Sequence, residues 1–372
     1  MRVRDICVGI ADGSHNPPQG IEMSDYLMLS SKNIFDDEIT FDNPRYLAQS
    51  DFEQEDRRTK VMAGNVLLTI VGTVGRAAVV DEKMPRFTLQ RSVAVLKPKD
   101  DVCNSRYLMY ALQGKRTYIE NSAKGVAQKG IYLNEVSNID LRIPALYEQE
   151  SIVILLDKIT AVTRSYQKQI QKLDELVKSR FVELFKACKD YKRLEEHAAL
   201  ITKGASPKWQ GVDYCEKGTL FVTSENVREC YLDLSKRKYL DDKINEIQPR
   251  SILKRNDILI NIVGASIGRA AVYDCDELAN INQAVALVRV DFSRINQTYL
   301  MTFLNSQQAI EMYGKMKKGG ARDNLSLQNI ADLKIPVAPM ERQKEFAAFV
   351  SEVDKSKLAV KPVSYTHLRA HE

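Results

Sequence analysis

Apolar residues between positions 147 and 187 recur at gaps of three and four: Ile152, Leu155, Ile159, Val162, Tyr166, Ile170, Leu173, Val177, Phe181 and Leu184. The stretch contains no Gly or Pro, and most of what lies outside this stripe is charged or polar. That spacing predicts one long helix with one apolar stripe. Forty helical residues extend roughly 60 Å at 1.5 Å per residue, more than one globular domain needs for support, so the helix reads as a spacer. Its stripe requires a partner, and an antiparallel coiled coil with a second copy of the same helix supplies one. Elsewhere the pattern changes. Short β-branched runs such as NVLLTIVG (65–72) and DILINIVG (257–264) lie between Gly, Asn and Asp turns and predict strands. SRYLMYALQGK (105–115) and QTYLMTFLNSQQAIEMYGK (297–315) predict helices.

These elements occur twice. LLTIVGTVGRAAV (67–79) returns as LINIVGASIGRAAV (259–272), SSKNI (30–34) as TSENV (223–227), and QRSVAVLKP (90–98) as NQAVALVRV (282–290). RYLMYAL (106–112) returns as TYLMTFL (298–304), and NIDLRIPALYEQE (138–150) as IADLKIPVAPMERQKE (330–345). The offset stays between 192 and 194 residues, too long for a solenoid, so a whole unit is duplicated. The expected organisation is α+β: a strand-rich unit over 1–145, a helical spacer over 146–190, a second unit over 191–338, and a shorter helix over 339–361.

The loop at Gly72 and Gly75 invites a phosphate-binding reading. It lacks G-x-x-x-x-G-K-[ST] and G-x-G-x-x-G, and AAVV after Arg76 continues as a strand where a phosphate loop opens a helix. A tight turn between two strands is the expectation, with glycine supplying the unusual dihedrals. HNPPQG (15–20) carries the Pro-Pro of an amino-methyltransferase motif, but Gln19 stands where an aromatic residue would stack on a flipped base.

Composition narrows the classes. Of 372 residues 44% are hydrophobic, enough for packed cores. No stretch approaches the roughly 18 apolar residues of a membrane span, and Asp5 and Asp12 interrupt the N-terminus too early for a signal peptide, so a cytoplasmic protein is expected. Six cysteines form no C-x-x-C, and the histidines do not cluster, His15 and His197 being isolated. Reduced, mostly packed thiols, no metal site and no cofactor are expected. Lys plus Arg exceed Asp plus Glu by 54 − 49 = 5, a mild excess that permits nucleic-acid binding through local patches.

Two units, each closed by an IP…EQ segment and a long helix, resemble the specificity subunit of type I restriction–modification enzymes. LRIPALYEQESIVILLDKITAVT, LDELVKSRFVELF and LKIPVAPMERQKEFAAFVSEVD are similar to the family's two conserved helical regions, and ADGSHNPP (11–18) and ITKGASPKW (201–209) to the openings of its target recognition domains. The resemblance implies a non-catalytic subunit with two recognition domains in pseudo-two-fold repeat. Each domain would read one half of a split site on double-stranded DNA. The helices would pair, set the spacing and dock methyltransferase subunits, with restriction and translocase subunits joining the assembly and no membrane partner. The helix-pairing positions expected are Ile152, Leu155, Ile159, Val162, Ile170, Leu173, Val177 and Phe181. Two other readings stay open: the recognition portion of a single-chain restriction–methylation enzyme, for which no unassigned stretch is long enough, and a coiled-coil adaptor that binds no DNA.

DNA candidates are basic and amide-bearing loops whose glycines permit close backbone approach. SAKGVAQKG (122–130) offers Lys124, Gln128 and Lys129, and KMKKGGARDN (315–324) offers Lys317, Lys318, Arg322 and Asn324. Arg76 and Arg269 close the two glycine turns, where they would touch phosphates or brace the loop. Lys32, Asn33 and Asn226, and Lys203 and Lys208 beside Trp209, complete the set. After about Lys361 the helical pattern breaks at Pro362, and PVSYTHLRAHE (362–372) resembles translated sequencing-adapter sequence; a non-native tail and a second helix cut short are the expectation.

Overall fold

A computed structural model of the chain describes residues 1–125, 129–316 and 323–360. The chain divides into two units, Met1–Thr163 and Arg164–Glu372.

The first unit is built on an antiparallel sheet of β1 (Cys7–Asp12), β9 (Val93–Pro98), β6 (Val66–Thr69) and β7 (Ala77–Val79), in that order. All four residues of β6 are buried, so the sheet is covered on both faces. Alternation of side chains explains how. Val66 and Leu68 face one way, into a core with Tyr107, Leu108 and Leu112 of the helix Ser105–Gly114 and with Val153. Leu67 faces the other way, onto Leu29, Ile34, Phe87 and Leu89. Those residues belong to a second layer: the hairpin β3 (Ile34–Phe35) and β4 (Glu38–Ile39), and a small sheet of β5 (Arg45–Tyr46), β2 (Leu27–Leu29) and β8 (Phe87–Leu89). In this small sheet β2 and β8 run parallel.

The second unit repeats the plan. β10 (Tyr191–Arg193) pairs with β19 (Lys334–Pro336). The main sheet runs β11 (Ala198–Lys203), β18 (Val285–Val290), β15 (Ile258–Asn261), β16 (Ala270–Val272). The second layer is β12 (Tyr214–Cys215), β14 (Tyr239–Leu240), β13 (Thr219–Val222) and β17 (Ala279–Ile281), with β13 and β17 parallel. Ile258 and Ile260 pack on Tyr299, Leu300 and Phe303, while Leu259 packs on Leu220, Val222 and Ile281.

The predicted helix 297–315 is two helices, Gln297–Leu304 and Gln307–Met316. Asn305 ends the first because its amide is committed to the sheet: it accepts from Ala270 N–H and donates to Ala270 C=O, both at 3.0 Å. Gln113 reaches the same place in the first unit, donating to Ala77 C=O.

The central helix is continuous over Leu146–Phe185. Its buried face is not the predicted one throughout. Ile152, Leu155, Ile159 and Val162 are exposed, and Val153 enters the core instead. The cause is a polar clamp: Arg106 binds Asp157, and Tyr110 reaches Asp157 and Thr160, which turns the 153–157–160 side of the helix toward the first unit. In the second unit Ile170 and Leu173 are half-buried, Val177 packs on the core, and Phe181 and Phe185 are inside it. There the helix meets the helix Met340–Val360. Phe181 and Phe185 pack edge-on against Phe346 with ring centroids 5.4 and 5.7 Å from its own, Arg180 pairs with Glu345, and Lys357 pairs with Asp174 at 2.8 Å. Numbers fall along one helix as they rise along the other, so the pairing is antiparallel. Residues 362–372 lie outside the described residues.

Candidate nucleic-acid interface

Strand direction gathers the candidate loops. Asp12 opposes Ala94, Thr69 opposes Val93, and Leu68 opposes Ala77, so β1 and β6 end, and β7 and β9 begin, at one end of the sheet. β2 ends there too, since Leu29 pairs with Leu89. The loops 13–20, 30–33, 70–76 and 90–92 therefore emerge together and are tied to one another: Ser31 N–H donates to Ser92 Oγ, Arg91 N–H to Ser14 C=O, and Gly72 N–H to Lys129 C=O. The second unit builds the same end. Lys203 opposes Ala286 and Asn261 opposes Val285. Asn261 donates to Ser224 C=O and Ser266 Oγ, and Gly264 N–H donates to Asp323 C=O.

The glycine turns are strand–turn–strand, as the sequence predicts. Gly72 and Gly75 have φ of +82° and +90°, and Gly264 and Gly268 have +81° and +89°, a region open to glycine at little cost. No helix opens after either turn.

The predicted residues divide into three groups. Lys32, Lys129, Lys203, Lys208 and Arg269 are exposed at the loop ends. Lys124 is exposed and pairs with Glu135 at 3.1 Å. The Glu135 carboxyl is held below its ordinary value, first by the N–H of Tyr132 and then by Lys124. Arg76 lays its guanidinium 4.9 Å over the Phe35 ring, which is the bracing role. Asn324 bridges to Val263. The second group is corrected. Asn33 is buried, accepts from Ser30 N–H and donates to Asp42 C=O; Asn226 accepts from Thr223 N–H and donates to Asp233 C=O. Both amides are consumed by their own turns and are not free to read a base. Gln128, Lys317, Lys318 and Arg322 form the third group, outside the described residues.

Sequence reasoning missed several residues here. His15 is not isolated: it hydrogen-bonds Asp12 at 2.7 Å, and Asp12 also receives Arg58. Arg91 and Gln283 occupy equivalent exposed positions, between β8 and β9 and between β17 and β18. The aligned repeat QRS/NQA carries that signal. Trp209 is 88% exposed. Thiols were expected to be packed. Burial pushes Cys7 up to about 12 and Cys103 up to about 11, while Cys215 and Cys230 are exposed. Among the described residues no group of three or more His, Cys, Asp or Glu is placed to hold a metal, and no helix is long and apolar enough to cross a membrane.

The glutamine of EQ in the first copy and of ERQ in the second anchors each helix. Gln149 accepts from Asn104 N–H and donates to Val102 and Pro144 C=O; Gln343 accepts from Asn296 N–H and donates to Ala338 C=O. Both glutamines are almost fully buried. Tyr107 and Tyr299 add equivalent bonds, to Arg142 and Pro336 C=O at 2.8 Å.

The family described as type I restriction modification DNA specificity domain matches the chain twice, over residues 29–175 and 192–361. The chain is 23% identical over 287 residues to the type I restriction enzyme MjaVIII specificity subunit of Methanocaldococcus jannaschii, and 25% identical over 295 residues to the EcoBI specificity subunit of Escherichia coli. These matches take in 72% and 71% of this chain, and 67% and 62% of the relatives, so the chain spans about two thirds of their length. Among solved structures, the S subunit of a type I restriction–modification system from M. genitalium is similar with a TM-score of 0.51 at 13% identity, over 97% of this chain and 90% of that one. A chain from a study of assembly and conformational transition in the type I R-M system has a TM-score of 0.50 at 16% identity, over 97% and 91%. These structures bear out the α+β fold of two strand-rich units with long helices. With both of its units matched, this chain belongs to the type I restriction modification DNA specificity domain family.

Proposed function

We propose that this chain is the DNA sequence-specificity subunit of a type I restriction–modification complex and is itself non-catalytic. Its recognition domains, 1–145 and 191–338, each read one half of a bipartite site in double-stranded DNA. The helices hold the spacing and dock methyltransferase subunits, with restriction and translocase subunits completing the assembly in the cytoplasm. One observation carries the reading: the same sheet end is built twice, on equivalent strands and glycine turns, but presents different side chains each time. Arg91 stands exposed where the second unit has exposed Gln283. A constant scaffold with diverged polar tips suits two readers of two different sequences. Exposed Lys32, Lys129, Lys203, Lys208 and Arg269 neutralise phosphates at such an end, and amide or guanidinium groups read base edges.

The test combines the chain with its cognate methyltransferase subunit and maps methylated adenines on genomic DNA. A split motif, two short fixed sequences around an unread gap, is the expected result. Methylation without sequence preference, or none with any partner, overturns the proposal.

A further inference from the structure

Trp209 is the only tryptophan in the chain, and it stands 88% exposed. A large apolar ring held in water needs an occupant or a reason, since covering such a ring is among the larger favourable terms available to a side chain. Flexibility is not the reason, because the loop beneath it is pinned on both sides. On one side, Gly204 lies so close to β17 that a Cβ there would sit 1.7 Å from the Ile281 carbonyl oxygen. On the other, Val212 is buried with Phe221, Leu240 and Ile244, and its N–H donates to Pro207 C=O at 3.1 Å. Between them Pro207 is buried, Trp209 N–H donates to Ser206 C=O, and Gly211 closes the turn at φ +66°. The indole is thus presented by a fixed platform at the sheet end described above. Lys203, at the end of β11, and Lys208 are exposed beside it in the chain. In an intact duplex base faces are covered by their neighbours, so an indole meets one where a base step opens or a base swings out, and neighbouring cations hold the phosphates.

The first unit has the same glycine contact without the indole. Gly13 packs against the Leu89 carbonyl oxygen as Gly204 packs against that of Ile281. The residues that follow are Ser14, His15, Asn16, Pro17 and Pro18, with no indole; the one ring is the His15 imidazole, which is tied to Asp12. The glycine contact is shared and the indole is peculiar to one unit.

We propose that Trp209 is a stacking residue for one half-site only: its indole inserts at an opened base step of the duplex read by the second unit, with Lys203 and Lys208 on nearby phosphates. This rests on the specificity reading above and deepens it.

The lone tryptophan makes the test direct, because with excitation at wavelengths beyond tyrosine absorption the emission of the full chain comes from Trp209 alone. Full-length protein is used to select duplexes from a random-sequence pool, and the selected duplex is then titrated into it. The expected result is a saturable quench of emission by the selected duplex and little change with a scrambled one of equal length. Trp209→Ala is expected to weaken binding about tenfold and to relax preference within one half of the motif, with Trp209→Phe restoring most of both. Lys208→Ala is expected to weaken all duplexes alike and to reduce the salt dependence by about one charge. A selected duplex that binds with unchanged emission, together with a Trp209→Ala variant that selects the same motif, overturns the stacking role and leaves the specificity reading standing. A pool that yields no enriched duplex overturns the specificity reading, and this inference with it.

Discussion

Gln149 and Gln343 are visible in the sequence as equivalent glutamines, in EQ of the first copy and ERQ of the second, but nothing in a one-dimensional pattern says that they are buried. Their role follows from accounting for backbone groups: each amide satisfies the N–H ahead of one helix (Asn104, Asn296) and a carbonyl just before its own helix (Pro144, Ala338). Gln343→Leu keeps the volume and removes both bonds. Leaving two buried backbone groups unpaired costs about 1–3 kcal/mol each, so the denaturation midpoint of the second unit is expected to fall clearly while the first unit is unaffected. The glycines divide in the same way. Gly13→Ala and Gly204→Ala place a Cβ 2.1 and 1.7 Å from carbonyl oxygens, and either strand has to move away from its neighbour. Gly114→Ala meets nothing within 4 Å at the end of its helix and is expected to be neutral or to stabilise by about 0.5–1 kcal/mol. Thermal melts of the three variants check this. If Gly204→Ala melts like the parent, the close approach is wrong. Sequence alone marked these positions as glycines in loops; close approach to a carbonyl 76 to 77 residues away was not legible in it.

At the scale of elements, the central helix was legible in existence, length and amphipathicity, because 3.6-residue periodicity over forty residues has no competing explanation. Which stripe meets the core was not legible. Two adjacent stripes on the first half carry apolar residues, and the choice is made by Arg106, which binds Asp157 on the helix and Asp37 beyond the β3 strand, with Tyr110 donating to the same Asp157. This clamp has a pH signature. Partial burial works to raise the Asp157 carboxyl, but hydrogen bonds from Arg106 and Tyr110 outweigh it and hold it below its ordinary value. A carboxyl depressed in the folded state contributes stability above its unfolded value and loses it as pH falls through the folded one. The first unit is therefore expected to lose thermal stability on acidification through and below the ordinary carboxylate range. Asp157→Asn, already without the charge, is expected to lose less over the same window. Melting temperatures of the two proteins between neutral pH and about pH 3 give the comparison. Parallel curves would mean that the clamp does not couple to protonation. The side chains are partly exposed, so the effect is expected to shrink in high salt.

For the whole molecule, duplication was the most legible feature, because an offset held between 192 and 194 residues survives divergence that erases individual contacts. The second-layer sheets were much less so. Their strands are two to four residues long, too short for a period of two to register. Duplication also predicts how the function should divide. Each unit has its own two-sided core and its own loop cluster, so a loop substitution in one unit leaves the other scaffold intact. Arg91 and Gln283 test this most cleanly, being exposed, equivalent in register and chemically different. Arg suits a guanine edge and Gln an adenine edge in the major groove. Arg91→Ala is expected to relax one position in one half of the methylated motif, and Gln283→Ala one position in the other half, each with the gap between halves unchanged. Methylation sequencing with each variant in place of the parent reads this out. If both substitutions relax the same half, the two units do not divide the site between them. If neither changes the motif, the turns before β9 and β18 do not touch bases and the reading residues lie elsewhere in the clusters.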